Sequence, residues 1–173
     1  LQGASSVYDT ELFASTMKAI AAAAGAEKQR DIASMRIVAD HVRTAMMMIA
    51  DGVVPSNKDQ GYILRRLIRR AMRRWNVLEA DEDILHHVFD AVIVSLEEAY
   101  PVLRREADAI WRVFDAERIT FSRTLAKGLR AFDKMYKSAG HVSGAEAFVL
   151  FSTYGFPLEL TEELVRERGA EVH

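Results

Sequence analysis

The sequence predicts an all-α protein, organised as a helical bundle. Apolar side chains recur at steps of three and four residues along most of the chain, which is the period of an amphipathic helix. No segment alternates apolar and polar residues for long enough to be assigned to a strand. Glycine and proline fall between the candidate helices, where they end helices or form turns. These three observations favour helices packed on helices.

The amino-acid composition limits the classes of protein to which this chain can belong. The 173 residues are 50% hydrophobic and 28% charged, values that are ordinary for a globular protein with a sizeable core. The chain has no cysteine, which excludes disulfides and thiolate metal sites. No apolar run reaches the roughly 18 residues of a membrane span, so we expect no membrane partner. The absence of cysteine fits a reducing compartment, and we expect a cytoplasmic location, with an organelle as the alternative. Because the chain begins with Leu1 instead of methionine, we expect a piece of a longer protein.

Two helices are predicted in the first fifty residues. The first covers 11–24, begins after Thr10 and ends at Gly25. The second covers 31–50 and ends at an Asp-Gly pair. A loop rich in turn-forming residues, 53–61, then leads into an arginine-rich helix.

Three more helical stretches and a final helix follow. A helix over 81–98 ends before Pro101, and a long amphipathic helix covers about 102–137. Ser143 and Glu146 have the spacing of a capping box, which predicts a short helix that ends near Phe151. A turn at 153–157 precedes the last helix, 159–168.

The arginine-rich helix is the most informative segment. Six arginines fall within ten residues with no acid among them, and at about 100° per residue they cover half of the helix surface. The apolar residues between them cover the other half. The chain has a net charge of −2, so the rest of the molecule carries −8. A local positive surface on a protein whose other residues are negatively charged overall indicates specific binding of an anion, above all phosphate.

A structural role for these arginines is the alternative. A single arginine is more often an ion-pair partner, and Asp40, Glu97, Glu98 and Glu106 are available. Six cations on one face repel one another by a few tenths of a kcal/mol per pair, however, and a structural helix normally interleaves acids. The pattern therefore favours a polyanion, without distinguishing RNA, DNA and lipid. Two other interpretations stay open: a helical module that binds an acidic protein, and a helical module that binds RNA without sequence specificity.

Three other polar residues, Asn57, His41 and Tyr62, also have structural interpretations. Asn57 lies just before the arginines, where its amide could contact a base edge, although a turn asparagine more often satisfies its own backbone. His41 is expected to be a buried, hydrogen-bonded residue, and Tyr62 is also assigned to structure. The five histidines, His173 included, show no metal-ligand spacing, and there is no P-loop or nucleophile elbow. We therefore predict no catalytic residue, no metal and no cofactor in this chain.

Five segments together resemble a known family. Residues 36–43, 50–57, 61–71, 121–128 and 144–157 closely resemble the helical tRNA-recognition region of alanyl-tRNA synthetases. The resemblance runs from about residue 5 to 169, and several motifs in the right order make it specific. Members are class II aminoacyl-tRNA synthetases, which activate alanine with ATP and transfer it to the 3′ end of tRNA.

The resemblance also implies a domain organisation. Residues 1–25 correspond to the tail of the aminoacylation domain with a connecting helix, because 1–3 and 8–13 resemble the segment after the third class II motif. Residues 26–173 correspond to the acceptor-stem recognition domain. The class II catalytic domain, which uses ATP with Mg, would lie upstream in cis, and the zinc-binding editing domain downstream in cis. The chain alone is therefore predicted to be inactive.

The resemblance assigns site residues as well. The family recognises a G:U wobble pair in the acceptor stem of tRNA(Ala), where the guanine amino group lies in the wide RNA minor groove and can donate to a protein acceptor. Asn57 matches the family's asparagine, and Ser152 stands where the family has an aspartate. With the arginines that would hold the phosphate backbone, the predicted tRNA-binding set is Asn57, Arg65, Arg66, Arg69, Arg70 and Ser152. Arg73 and Arg74 lie farther from the loop.

Two departures from the family pattern affect this site. A serine hydroxyl accepts a neutral hydrogen bond, roughly half as strong as one to a carboxylate. Ser152 thus implies weaker discrimination, a greater reliance on Asn57, or a different base pair. Asp59-Gln-Gly61 replaces the usual Gly-Arg-Gly, which removes one positive charge near the RNA and should weaken a phosphate contact.

Overall fold

A computed structural model of the chain describes residue 3 and residues 5–169. Leu1 and Gln2, which belong to the opening resemblance, lie outside the described residues, as does His173. The described part contains eight α-helices and no strand, which confirms the predicted all-α helical bundle. It forms two compact units that divide between Glu117 and Arg118. The predicted functional division at residue 25 stays a prediction.

Five helices and the start of a sixth form the first unit. Helix α2 packs along α3, and α1 packs along α4. Fully buried side chains from each of these helices make the core, among them Ile20, Val38, Val42, Leu64, Ile68 and Val88. The helices are α1 (Glu11–Ala23), α2 (Ile32–Ala50), α3 (Asp59–Val77), α4 (Leu85–Leu96), α5 (Val102–Arg105) and α6 (Ala107–Ala139).

The predicted ends of the first two helices are confirmed. Asp31 caps α2 by accepting a 3.0 Å hydrogen bond from the Ser34 amide. Gly25 follows the end of α1 for a reason that differs from the predicted one, since its φ of −56° is not left-handed. Its amide donates to the Leu78 carbonyl at 2.9 Å, and an added Cβ would lie 3.3 Å from the Glu79 Cβ. Gly25 therefore allows the chain to approach the end of α3 closely.

Three boundaries predicted for the helices up to α6 are wrong. Helix α3 begins at Asp59, so residues 59–61, which were predicted as loop, form its first turn. The helix predicted over 81–98 begins with a 3-10 turn, Glu82–Ile84, before α4. The long helix predicted from 102 is interrupted at Glu106, whose φ of −103° and ψ of 14° depart from helical geometry.

The second unit consists of the rest of α6 followed by α7 (Gly144–Tyr154) and α8 (Leu158–Glu167). The capping box is confirmed, because the Glu146 amide donates to Ser143 Oγ at 3.3 Å and the Ser143 amide donates to Glu146 Oε2 at 2.9 Å. Helix α7 extends three residues beyond its predicted end and stops at Gly155, which has a left-handed φ of 70°. Ser152 therefore lies in a helix instead of in the turn after it.

None of the helices in the described part combines the length and the apolarity that crossing a bilayer requires.

Candidate nucleic-acid interface

Helix α3 buries one face and carries its arginines on the others. Leu64, Ile68, Ala71, Met72 and Trp75 are buried, as the helical period predicts. The prediction that all six arginines share one exposed face is wrong, because Arg69 is only 8% exposed. The position of Arg69 depends on an acid that lies on another helix.

That acid is Glu117 of α6, which is 6% exposed. Arg69 donates from Nε to Glu117 Oε1 at 2.7 Å, and its Nη2 lies 2.6 Å from the same oxygen. Burial lowers the pKa of the Arg69 guanidinium, and attraction to Glu117 offsets part of that shift. The pair forms a buried ion pair that holds α3 against α6.

Arg65 connects this ion pair to the predicted base-reading residue. Its Nε lies 3.2 Å from Glu117 Oε1, and its Nη1 donates a hydrogen bond to Oδ1 of Asn57. The Arg65 side chain is 24% exposed, so it extends from the buried carboxylate towards the surface. A buried charge thereby fixes Arg65, and Arg65 fixes the exposed amide of Asn57.

The loop that carries Asn57 is held against the first turn of α3. The Ser56 amide donates to the Gly61 carbonyl at 3.0 Å, and Ser56 Oγ donates to the Lys58 carbonyl at 2.9 Å. A Cβ on Gly61 would lie 2.2 Å from Ser56 Oγ and 2.5 Å from the Val54 carbonyl oxygen. Only glycine allows this approach, so the loop and the helix start form one closely packed, hydrogen-bonded support.

Asn57 itself is exposed at the edge of this support. Its carbonyl oxygen accepts from Arg65 instead of from a neighbouring backbone amide, which distinguishes it from an ordinary turn asparagine. An amide oxygen has two lone pairs, so one acceptor position and the two amide hydrogens remain for a ligand.

The remaining arginines of α3 are half-buried, including Arg66 and Arg70. Arg70 Nη1 lies 3.4 Å from Nε2 of His41, whose Nδ1 lies 2.9 Å from Asp40 Oδ2. The prediction that His41 is a buried, hydrogen-bonded residue is confirmed, since it is 9% exposed. Of the acids that were proposed to neutralise the arginines, Glu97 instead pairs with Arg104, and Glu106 with Arg105.

Ser152 belongs to the second unit and is exposed near the end of α7. Its hydroxyl donates to the Phe148 carbonyl at 2.8 Å. That bond uses the hydroxyl hydrogen and leaves the oxygen as an acceptor, which is the role that a guanine amino group requires. The expectation that Asn57 and Ser152 face one base pair stays a prediction.

Sequence analysis missed Glu117, although a signal for it exists. Glu117 lies three residues after Phe114 and four before Phe121, both fully buried, and so occupies the apolar row of α6. An acid in such a row is rarely buried without a cationic partner. The signal identifies a buried acid but not the arginine that it binds.

Comparisons with known proteins cover the whole chain. Residues 1–173 match a family model described as tRNA synthetases class II (A). An alanine–tRNA ligase of Thermotoga maritima is 39% identical over 176 residues. The alanine–tRNA ligases of Rhodopseudomonas palustris and Bacteroides thetaiotaomicron are each 43% identical, over 178 and 183 residues. These three alignments include 99%, 99% and 100% of this chain. They include 20%, 20% and 21% of the relatives, so the chain spans about one fifth of the length of the curated relatives that it matches.

Proposed function

The chain belongs to the family of class II (A) tRNA synthetases, and we propose that it is the acceptor-stem recognition part of an alanine–tRNA ligase. In this role it binds the acceptor stem of tRNA(Ala) and inspects its G:U wobble pair. The ATP-dependent attachment of alanine, a cytoplasmic location, and catalytic and editing domains in cis belong to the same proposal. ATP with Mg and zinc would be held by those other domains, and this chain would hold neither.

The hydrogen bond that the Asn57 amide oxygen accepts from Arg65 is the observation that carries the proposal. A base-reading group that is already held in place loses little conformational entropy when RNA binds. Arg65 supplies that restraint, and the bonds between Ser56 and the start of α3 restrain the backbone. The free acceptor position of the amide oxygen suits the unpaired amino group of a wobble guanine.

The geometry supports a division of roles among the predicted binding residues. We assign base reading to Asn57 and Ser152, whose oxygens can still accept hydrogen bonds. Arg66 and Arg70 hold phosphates, since a guanidinium can bond a neighbouring side chain and a phosphate at once. Two arginines receive other roles because of Glu117: Arg65 positions Asn57, and Arg69 stabilises the fold.

Binding of two RNA stems tests the assignment of Asn57. The stems differ only in a G:U or a G:C pair at the recognised position. Asn57→Ala removes one base contact worth about 1 kcal/mol, so the preference for G:U should fall by about 5-fold. Asn76→Ala, which truncates an exposed asparagine at the other end of α3, is the matched control and should keep the preference. An unchanged preference in Asn57→Ala would refute the role of this residue.

Substitution of Ser152 tests the second base-reading position. Ser152→Asp replaces a neutral acceptor with a charged one that bonds about twice as strongly. The preference for G:U over G:C should therefore increase in the same binding assay. If the preference does not change, α7 does not take part in base reading.

A protein-docking module is the second candidate, and one observation favours it. Phe148 and Phe151 of α7 are exposed next to each other, with ring centroids 6.5 Å apart. The salt dependence of binding separates the candidates, because each phosphate contact adds about −0.7 to −0.9 to the log–log slope. The contacts of Arg66 and Arg70 alone would give a slope of about −1.4 to −1.8. A flat response with no preference for RNA over an acidic protein would favour docking.

A further inference from the structure

A second basic surface lies on the part of α6 that belongs to the second unit. Its five members are separated by steps of four, three, four and three residues, and all are exposed. Such steps keep the side chains within an arc of about 80° and along about 21 Å of helix. We call this surface the α6 basic stripe: Arg123, Lys127, Arg130, Lys134 and Lys137.

The opposite face of the same helix is buried in the second unit. Phe121 and Phe132 are fully buried, and Leu125 is 5% exposed. Gly128 lies so close to Phe156 that a Cβ would come within 2.4 Å of its ring. On a helical projection the centre of this face is about 180° from the centre of the stripe. Packing of α6 therefore directs the five cations away from the core of this unit.

The α6 basic stripe differs from the arginines of α3 in its electrostatic surroundings. Within the part of the chain that the structure describes, none of its five members forms an ion pair. The one acid among these residues, Asp133, instead lies 2.7 Å from Nη2 of Arg168. Cations at steps of three and four repel one another. No ion pair among the described residues of the second unit offsets this repulsion, and an anionic ligand would do so.

We propose that the α6 basic stripe binds the phosphate backbone of RNA, as a sequence-independent contact separate from the base-reading loop. Neighbouring side chains on the stripe start about 5–6 Å apart, so long lysine and arginine side chains can each reach a different phosphate of one strand. That this RNA is the acceptor-stem tRNA rests on the proposed function.

The surroundings of the stripe favour RNA over a membrane or a protein. A helix that lies on a membrane inserts an apolar face beside its cations, but here the apolar face of α6 is buried in the second unit. Protein interfaces are built around aromatic and other apolar anchors. No large hydrophobic side chain between 123 and 137 is exposed. A surface of charge alone is typical of phosphate-backbone binding.

Neutralisation of the stripe in the 173-residue chain tests the proposal. The variant combines Lys127→Gln, Arg130→Gln and Lys134→Gln, since glutamine has nearly the helix propensity of the residues that it replaces. Its log–log salt slope for RNA binding should become shallower by about 2–3, and binding should weaken about 10- to 100-fold at low salt. The loss should be equal for G:U and G:C stems. Far-UV circular dichroism verifies that the helices are intact.

A matched control removes the same charge elsewhere. Lys18→Gln, Arg30→Gln and Arg112→Gln change three exposed cations of the first unit that do not form a stripe. The RNA affinity of this control should be within about 3-fold of the affinity of the unchanged chain. Equal binding by the stripe variant and the control would overturn the proposal.

Two further outcomes would also overturn it. The first is that the unchanged chain fails to bind either stem at low salt. The second is that the stripe variant keeps its RNA affinity but loses binding to phosphatidylserine vesicles or to an acidic protein. The test separates this proposal from the proposed function. If the stripe variant binds RNA more weakly but the unchanged chain shows no preference for G:U over G:C, only the base-reading function is refuted. If the unchanged chain prefers G:U but the stripe variant binds RNA as well as the control, only the stripe proposal is refuted.

Discussion

Glu117 controls two arginines that sequence analysis treated as equal members of one binding surface. Its carboxylate holds Arg69 in the interior and restrains Arg65, which in turn restrains Asn57. A buried ion pair contributes little net stability compared with apolar packing, but loss of one partner leaves a buried charge uncompensated. The residue is therefore expected to affect both folding and base reading.

Glu117→Gln should lower the free energy of unfolding by about 3 kcal/mol, because Arg69 stays buried without its counter-charge. Chemical denaturation measures this change. Glu98→Gln, at an exposed acid of the first unit, is the control and should have an effect within about 0.5 kcal/mol. Combining Glu117→Leu with Arg69→Met should recover most of the stability. A loss in the double variant as large as that in Glu117→Gln would contradict the ion-pair explanation.

We expect the carboxylate of Asp31 to make the stability of the chain depend on pH. Burial raises the pKa of its carboxyl, but hydrogen bonds from Ser34 and the charges of Arg74 and Lys28 lower it more, so the folded pKa is below the ordinary 3.8. The carboxylate thus stabilises the fold above pH 3.8, and this contribution is lost as pH falls through the folded pKa. Asp31→Asn keeps a residue that caps helices well but removes the carboxyl group that titrates. Between pH 6 and pH 3 the melting temperature of this variant should fall less steeply than that of the unchanged chain. If the two curves of melting temperature against pH are parallel, Asp31 does not contribute to the pH dependence of stability.

At the scale of elements, the first residue of α3 has an unusual backbone conformation. Asp59 has a φ of 48°, in the left-handed region that glycine tolerates best and aspartate better than most. The corresponding residue in the family pattern is glycine, so the backbone conformation gives a physical reason for that preference. Aspartate at position 59 therefore adopts a conformation that also suits glycine, whereas Gln60 lacks the positive charge of the pattern that the chain resembles.

Gly61→Ala tests the contact between this loop and the helix. The added methyl group would meet the Val54 carbonyl oxygen, a backbone atom that cannot move away without shifting the loop. We expect a loss of about 1–3 kcal/mol in the free energy of unfolding and a reduced preference for G:U, because Asn57 would be displaced. Gly144→Ala is the control, since a Cβ there meets nothing within 4 Å. Unchanged stability and preference in Gly61→Ala would show that the loop is not held by this contact.

At the scale of the whole molecule, the chain covers about one fifth of the length of its curated relatives. The described residues contain no strand, and the resemblance places the ATP-binding fold outside the chain. We therefore predict that the 173-residue chain does not form aminoacyl-adenylate. An alanine-dependent pyrophosphate-exchange assay measures this reaction, with a full-length alanine–tRNA ligase as the positive control. Exchange above background by the chain alone would contradict the prediction.

Family membership and helix positions were accessible from the sequence to different degrees. The ordered motifs around Asn57 and the arginines identified the family that the comparisons then established. Helix ends marked by local signals, such as Asp31 and Ser143, were predicted correctly. Boundaries without a strong signal, at Asp59 and Glu106, were not. At both residues the backbone departs from helical geometry by tens of degrees, since Asp59 has a φ of 48° and Glu106 a φ of −103°.

The sequence by itself determined the helical class, most of the helix ends and the family, because helical periodicity and capping act between residues that are near one another in the chain. Only the tertiary structure decided which arginines of α3 face the solvent and which are held inside. The acid that binds Arg69 lies 48 residues away along the chain. An ion pair over that distance forms only after α3 and α6 have packed together, and no local pattern records it.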